Sequence, residues 1–111
     1  WQQVYSVYAM GFAPGFAYLG HCNERIATPR LSTPRKRIEQ GAVAIADRQT
    51  AVYPASSPGG WNIVGYCPLT LITPHHQTIS PFVVGQLVQF KPITKAEYQQ
   101  LEGQYWFDAT Y

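Results

Sequence analysis

Short runs of apolar residues, broken by glycine, proline and polar turn residues, recur along the whole chain. The runs are rich in β-branched and aromatic side chains and have the lengths of strands, so each is predicted to form one. The predicted strands are Val4–Met10, Ala42–Ala46, Thr50–Tyr53, Trp61–Val64, Leu69–Ile72 and Leu87–Phe90. Because short strands at regular spacing are typical of a closed β-barrel or a sandwich, the pattern predicts a mainly β fold.

Two other segments predict an apolar loop and a short helix. Gly11–Gly20 mixes glycines and a proline with aromatic residues, a composition that excludes a regular helix and favours a loop packed on the core. Thr94 lies three residues before Glu97, as in a capping box, and Gly103 is a typical helix stop. We therefore expect one short helix near the end of the chain, flanking or plugging the barrel.

Composition limits the class of protein. Of the 111 residues 46% are hydrophobic and 13% are charged, which predicts one compact domain over residues 1–111 rather than a disordered chain. The net charge of +2 is too small for a nucleic-acid or membrane-surface partner, and the longest apolar run, Ala42–Ala46, is too short to span a bilayer. We expect a cytoplasmic protein. Since strand-like sequence begins almost at Trp1, we also expect an N-terminal domain in a longer polypeptide.

Residues with metal or redox chemistry are poorly spaced for either role. Cys22 and Cys67 lack CxxC spacing, which favours two reduced thiols over a redox pair or a disulfide. His75 and His76 are adjacent, so in extended backbone they point to opposite faces, and His21 is isolated beside a cysteine. We predict no metal site. Because no standard nucleotide-binding or catalytic motif occurs, we do not expect a self-sufficient enzyme.

Four polar residues are candidates for a binding site. Gln49 and Thr50 follow a turn between two predicted strands, where they lie either at a ligand-binding rim or in a plain hairpin. Arg30 and Arg35 each follow a proline in a repeated Thr-Pro-Arg phrase. A guanidinium group in that position either binds a carboxylate or phosphate or remains a solvated charge.

The segment 56–61, Ser-Ser-Pro-Gly-Gly-Trp, has two interpretations. Consecutive glycines expose backbone N–H groups that form an anion-binding nest in some proteins, and Trp61 beside them offers a flat apolar wall. A hairpin turn followed by a core tryptophan has the same signature. The residues alone leave both interpretations open.

Several ordered stretches together resemble one bacterial family. They are GFAPGFAYLG, TPR, GAVAIADRQTAVYPASSPGGWNIVGYCP and VVGQLVQFKPI. The family is that of the 5-oxoprolinase B subunit, also described as allophanate hydrolase subunit 1 or the Kip-type kinase inhibitor. The similarity runs from about Val4 to Leu101 and is to the C-terminal domain, which implies a cyclophilin-like closed β-barrel with one or two short helices.

The resemblance implies a component of an ATP-dependent 5-oxoprolinase. Such a protein acts with a homologous C subunit and a separate A subunit to convert 5-oxoproline to glutamate, and ATP is used by the whole complex. One alternative is an allophanate or urea-carboxylase type carboxyltransferase component, where biotin delivers the carboxyl group. Another is an inhibitor that binds a sensor histidine kinase. Prolyl isomerisation, suggested by fold likeness alone, ranks last.

The family motifs also imply a substrate-binding cleft, with no catalytic residue assigned. Its expected lining combines aromatic walls, backbone N–H donors and polar recognition groups. The residues are Phe16, Tyr18, Arg35, Gln49, Thr50, Tyr53, Ser57, Gly59, Gly60 and Trp61.

This chain departs from the family pattern at three places. Tyr66 stands where members commonly carry arginine, which removes a cationic contact expected for anionic 5-oxoproline, and nearby Arg48 is a candidate replacement. Asp47–Arg48 replaces a glycine-containing turn, and Gly85–Gln86 replaces Gly-Asp before the last strand.

Overall fold

The computed structural model describes residues 3–11, 16–72 and 81–105, which form eight strands and one helix. The strands are β1 (Val4–Met10), β2 (Ala17–Gly20), β3 (Arg35–Ile38), β4 (Ala42–Ala46), β5 (Gln49–Val52), β6 (Ser57–Gly59), β7 (Asn62–Tyr66) and β8 (Leu87–Gln89); the helix is α1 (Lys95–Leu101).

Six strands form one sheet in the order β7-β4-β5-β2-β1-β8, and β3 pairs with β6 in a separate two-stranded sheet. Every described strand pair is antiparallel. The predicted mainly β fold is therefore confirmed. The outer strands of the larger sheet are β7 and β8, and no ladder joins them within residues 3–11, 16–72 and 81–105, so closure of the barrel stays a prediction.

The predicted strands agree best where the apolar pattern is strongest. Val4–Met10 and Ala42–Ala46 are strands with the predicted bounds, and three others are shifted by one or two residues. The prediction of a strand at Leu69–Ile72 is wrong. There Thr70 makes one isolated parallel bridge to Tyr105, because its N–H donates to the Gln104 carbonyl rather than to a neighbouring strand.

The structure also contains strands that the sequence did not predict. Ala17–Gly20 lies inside the predicted loop but forms β2, between β5 and β1, with Ala17 and Leu19 buried on one face. The glycine at its end is tolerated because the Tyr8 ring covers it. Pro58 lies in β6, where a two-stranded sheet leaves one backbone edge unpaired and a missing N–H costs little.

The larger sheet is apolar on both faces. One face packs Val7, Leu19 and Ile45 against residues from the later part of the chain, including Val88 and Phe90. The other face packs alanines of β4 and β5 against residues from outside this sheet, in a cluster of Phe16, Ile38, Ala42, Ala44, Ala46, Ala51, Tyr53 and Trp61. The second face lies under the small β3–β6 sheet, and four of the ten predicted site residues pack in its cluster: Phe16, Tyr18, Tyr53 and Trp61.

Helix α1 begins with the predicted capping box. The Glu97 N–H donates to Thr94 Oγ1 and the Thr94 N–H donates to Glu97 Oε1, both at 3.1 Å. These bonds to Thr94 hold the pKa of the Glu97 carboxyl below its usual value. Gly103 has φ of 82°, which agrees with its predicted role as a stop signal.

Removing the cap is expected to destabilise the chain measurably. Thr94→Ala leaves the Glu97 N–H without its acceptor and should lower the free energy of unfolding by about 1 kcal/mol. Urea unfolding followed by circular dichroism measures this change, with Thr33→Ala, an exposed threonine outside the helix, as the control. Equal midpoints for the two variants would show that the cap contributes nothing to global stability.

Both cysteines are free thiols, as the sequence predicted, with Cys22 buried and Cys67 half-buried. Burial raises the pKa of each thiol, so both remain protonated at neutral pH. In the described part of the chain, α1 is far shorter than a bilayer-crossing helix and no other segment qualifies.

Candidate functional site

Four aromatic rings form a cluster on the face beneath the small sheet. The Phe16 ring lies 5.1 Å from Tyr53 and 5.6 Å from Trp61, centroid to centroid, with interplanar angles of 89° and 85°. Tyr18 completes the group at 5.2 Å from Phe16 and 6.1 Å from Trp61. Edge-to-face contacts of this kind, which Phe16 makes with its three neighbours, are an arrangement that aromatic rings prefer.

Alanine side chains form the floor beneath these rings. Ala42, Ala44 and Ala46 on β4 and Ala51 on β5 have no exposed surface. Because alanine is small, the aromatic rings above it occupy the space that a larger side chain would fill. The alternating alanines of β4 are therefore what allows the rings to pack so close to the sheet.

Most of the cluster is core rather than open surface in the described residues. Phe16 and Tyr53 are 2% exposed and Trp61 is 4% exposed, whereas Tyr18 is half-buried. Burial raises the pKa of Tyr53, and the Arg30 charge lowers it to a smaller extent. Tyr18, predicted to line the cleft, is the ring of this cluster with the most accessible face; a wall role for Phe16, Tyr53 and Trp61 stays a prediction.

The Ser-Ser-Pro-Gly-Gly-Trp segment is a strand followed by a core tryptophan. Gly59 lies opposite Arg35 and Ser57 lies opposite Ile38 in the β3–β6 pair. A Cβ on Gly59 would lie 2.7 Å from the Tyr53 hydroxyl oxygen, and the Gly60 carbonyl accepts a hydrogen bond of 2.7 Å from the Leu31 N–H. Glycine is therefore needed in this segment, because its backbone closely approaches the Tyr53 ring and the Leu31 backbone.

The two glycines lack the backbone signature of a nest. A nest alternates right-handed and left-handed residues, and neither Gly59 nor Gly60 has a positive φ. Gly59 pairs with β3 instead. Whether either N–H contacts a ligand stays a prediction.

Two arginines border the aromatic cluster. The Arg30 guanidinium carbon lies 5.5 Å from the centre of the Trp61 ring, and Arg35 lies opposite Gly59. Both are exposed, and neither forms an ion pair with another described residue. Their positive charges are therefore available to an anionic ligand, more so than that of Arg37, which pairs with Glu39 at 3.1 Å.

Gln49 and Thr50 lie in the β4–β5 hairpin and differ in what their side chains do. The Thr50 hydroxyl is buried and donates to the Ala44 carbonyl at 2.9 Å, so its donor is used inside the sheet. The half-buried Gln49 lies next to Tyr8, a residue that the sequence did not single out. The turn between the strands contains Asp47 at φ of 53°.

A separate cavity of about 690 Å³ lies between β7, the segment 89–95 and α1. Its lining is mainly apolar and includes Tyr66 and Cys67. None of the predicted site residues lines it, so the departure at Tyr66 concerns this cavity and not the aromatic cluster.

No group of histidine, cysteine and carboxylate side chains capable of holding a metal occurs in residues 3–11, 16–72 and 81–105. His75 and His76 lie outside the described residues. His21 is exposed and stacks on Tyr8, with ring centroids 5.2 Å apart.

Known proteins similar to this chain agree on one family. The sequence profile described as "Carboxyltransferase domain, subdomain C and D" matches residues 1–82. The chain is 47% identical over 94 residues to the 5-oxoprolinase B subunit of Bacillus subtilis, covering 85% of this chain and 39% of that protein. It is 40% identical over 89 residues to the protein of the same name from Haemophilus influenzae, covering 80% of this chain and 42% of that one.

A solved structure is also similar. A conserved uncharacterized protein from Pyrococcus horikoshii is 47% identical and has a TM-score of 0.82, covering 87% of this chain and 45% of the other. The chain thus spans about two fifths of the length of the curated relatives it matches. These matches confirm the resemblance found in the sequence, and the chain belongs to the carboxyltransferase domain family, subdomain C and D.

Proposed function

We propose that this chain is the substrate-binding part of a 5-oxoprolinase B subunit, working in an ATP-dependent complex with a homologous C subunit and a separate A subunit. The observation that carries the proposal is the 47% identity to the Bacillus subtilis protein, which extends over 85% of this chain. The names of three bacterial relatives support the same activity. Activity of the whole complex is a proposal, since this chain covers only part of each relative.

The surface around Trp61 suits a small anion that carries a compact ring. 5-Oxoproline combines a carboxylate with a compact lactam ring. A guanidinium group matches a carboxylate with two parallel hydrogen bonds, and Arg30 and Arg35 are the cations that border the cluster. The accessible face of Tyr18 gives the ring an apolar neighbour.

Hydrolysis of the lactam breaks the ring C–N bond and adds water across it. The carbonyl carbon becomes the new carboxylate and the ring nitrogen becomes the amino group of glutamate. ATP used by the complex activates the carbonyl, and we assign its site to none of the described residues. What this chain contributes is orientation of the substrate, through the pairing of its carboxylate with the bordering arginines.

The test is production of glutamate from 5-oxoproline and ATP by the natural polypeptide that carries this chain, mixed with its partner subunits. Arg35→Gln should raise KM for 5-oxoproline by roughly tenfold to a hundredfold, because a charged hydrogen-bond pair is lost. Arg37→Gln is the matched control, since it lies on the same strand and already pairs with Glu39.

Two results would overturn the proposal. One is absence of glutamate formation with every partner combination. The other is full turnover by partner subunits in the absence of this polypeptide.

Protein binding is the second candidate function, and an exposed apolar surface favours it. Val83, Val84 and Leu87 are each more than half exposed. Leu87 pairs with Ser6 of β1, and Val4, two residues earlier on that strand, faces the same side. Such a patch is typical of a surface that a partner covers. Inhibition of a sensor histidine kinase by this chain, relieved by Leu87→Glu but not by Lys36→Glu, would support the inhibitor alternative.

A further inference from the structure

The cavity between β7, the segment 89–95 and α1, here called the β7–α1 cavity, has the size of a small-molecule site. Its volume of about 690 Å³ lies within the range of about 300–1,000 Å³ that is typical of ligand pockets. Val43 and Leu101, which line it, are buried, whereas Val64 and Tyr66 are at least half exposed. The cavity therefore leads from the surface to side chains of the core.

Aromatic residues from three elements line the β7–α1 cavity. Tyr66 belongs to β7, Phe90 follows directly after β8, and Tyr98 lies on α1. Phe90 and Tyr98 are half-buried, so part of each side chain remains accessible. Aromatic side chains offer large apolar surfaces that pack against other rings, edge to face or offset. This lining suits a ligand with a flat apolar body.

The charges around the cavity have one sign. Lys91 and Lys95, two of the three lysines of the chain, line it, and no described lining residue carries a carboxylate. Both lysines are exposed, and neither forms an ion pair with a described residue. Glu97 is near enough for the Lys91 charge to help lower its pKa, but its carboxylate accepts from the Thr94 N–H and does not line the cavity.

The two lysines also lie on one side of the cavity. Both belong to the stretch from the end of β8 to the first turn of α1, whereas the β7 side contributes Val64, Gly65 and Tyr66, which carry no charge. A ligand with an anionic group at one end and an apolar body at the other matches this division. Its anionic group stays partly in water beside the ammonium groups, so the desolvation cost is small.

We propose that the β7–α1 cavity binds an aromatic monoanion, with the apolar body among Tyr66, Phe90 and Tyr98 and the anionic group beside Lys91 and Lys95. The site is separate from the surface around Trp61. None of the residues predicted to bind 5-oxoproline lines this cavity, so the inference does not depend on the proposed function.

The first experiment is calorimetric titration of the natural polypeptide that carries this chain. The probes are naphthalene-2-carboxylate and naphthalene-2-carboxamide, which have the same shape and differ in charge. The carboxylate should bind roughly three- to tenfold more tightly at low salt, the combined value of two exposed ion pairs. Because salt screens exposed charges, this preference should fall towards one as the ionic strength rises.

Substitutions of the lysines test the assigned end of the site. The double variant Lys91→Gln, Lys95→Gln should bind the carboxylate and the carboxamide equally well at low salt. Lys36→Gln is the matched control, because it removes the remaining lysine, which is exposed on β3 and does not line the cavity. It should keep the full preference, and all variants should unfold at the wild-type urea midpoint.

Cys67 reports whether the ligand occupies this cavity. It lines the cavity and is half-buried, whereas Cys22 is fully buried. Methyl methanethiosulfonate should therefore modify Cys67 well before Cys22, as followed by mass spectrometry of the two cysteine peptides. Naphthalene-2-carboxylate at about ten times its Kd should slow the modification of Cys67 by about tenfold, because the bound ligand covers the thiol.

Four results would each overturn the inference. They are absence of binding of both probes, equal binding of the two at low salt, retention of the preference in the double lysine variant, and modification of Cys67 at the same rate with and without bound ligand. A Cys67 thiol no more reactive than that of Cys22 would also overturn it, since the cavity would then be closed. Glutamate formation enters none of these outcomes, so the proposed function stands or fails separately.

Discussion

Replacing Trp61 by alanine is expected to lower the free energy of unfolding by about 3–5 kcal/mol. The ring is almost fully buried and makes contacts with Phe16, Tyr18 and Tyr53, while Arg30 covers it from outside. Truncation removes this apolar contact and leaves a cavity above the alanine floor. Urea unfolding of the wild type and variant measures the loss.

Tyr66→Ala is the matched control for this prediction. Tyr66 is also a large aromatic residue but is half exposed, so its truncation should cost less than about 1 kcal/mol. Similar losses at the two positions would contradict the buried role of Trp61. The expected result also means that a loss of activity in Trp61→Ala reports unfolding, and Arg35→Gln is the cleaner probe of substrate binding.

Replacing Gly41 by alanine is the second change with a large expected effect. Gly41 has φ of 88°, a conformation that costs other residues about 1–3 kcal/mol. In addition, the new Cβ would lie 2.6 Å from the Cys67 carbonyl oxygen, which is backbone and has little room to move. The Gly41 N–H donates to the Tyr53 carbonyl and its own carbonyl accepts from the Cys67 N–H, so displacement disturbs both connections.

A substitution at Gly85 separates the cost of the positive φ from the cost of the close contact with Cys67. It has φ of 92°, but a Cβ there would meet no atom within 4 Å, so Gly85→Ala reports the backbone conformation alone. Thermal unfolding should show a larger loss for Gly41→Ala than for Gly85→Ala. Equal losses would mean that the approach to Cys67 is relieved without cost and that this part of the chain is less tightly packed than its distances indicate.

Local sequence predicted the elements whose stability is local. Val4–Met10 and Ala42–Ala46 alternate or concentrate apolar residues over a strand length, and Thr94 with Glu97 specifies its own helix start. Strand β3 could not be found this way. Its sequence, Arg-Lys-Arg-Ile, has one buried residue, Ile38, and it is a strand because β6 pairs with it.

The candidate site was predicted in part. The family resemblance identified Phe16, Tyr53 and Trp61 as site residues. It could not show whether each ring lines a cleft or is buried, because their exposure depends on which other residues cover them. Tyr8 was not singled out because its ring contacts a glycine of another strand, Gly20, and local sequence does not show which strands pair.

The separate pairing of β3 with β6 has a consequence for how the chain opens. Within the described residues no ladder joins this pair to the six-stranded sheet, and the two are held together largely by side chains such as Ile38, Tyr53 and Trp61. We expect such a unit to exchange its amide hydrogens by detaching as a whole, at a lower free energy than global unfolding. Arg35 and Gly59 belong to it, so the arginine side of the candidate site exists only while this small sheet is docked, and a ligand that bridges it to the larger sheet would slow exchange in both.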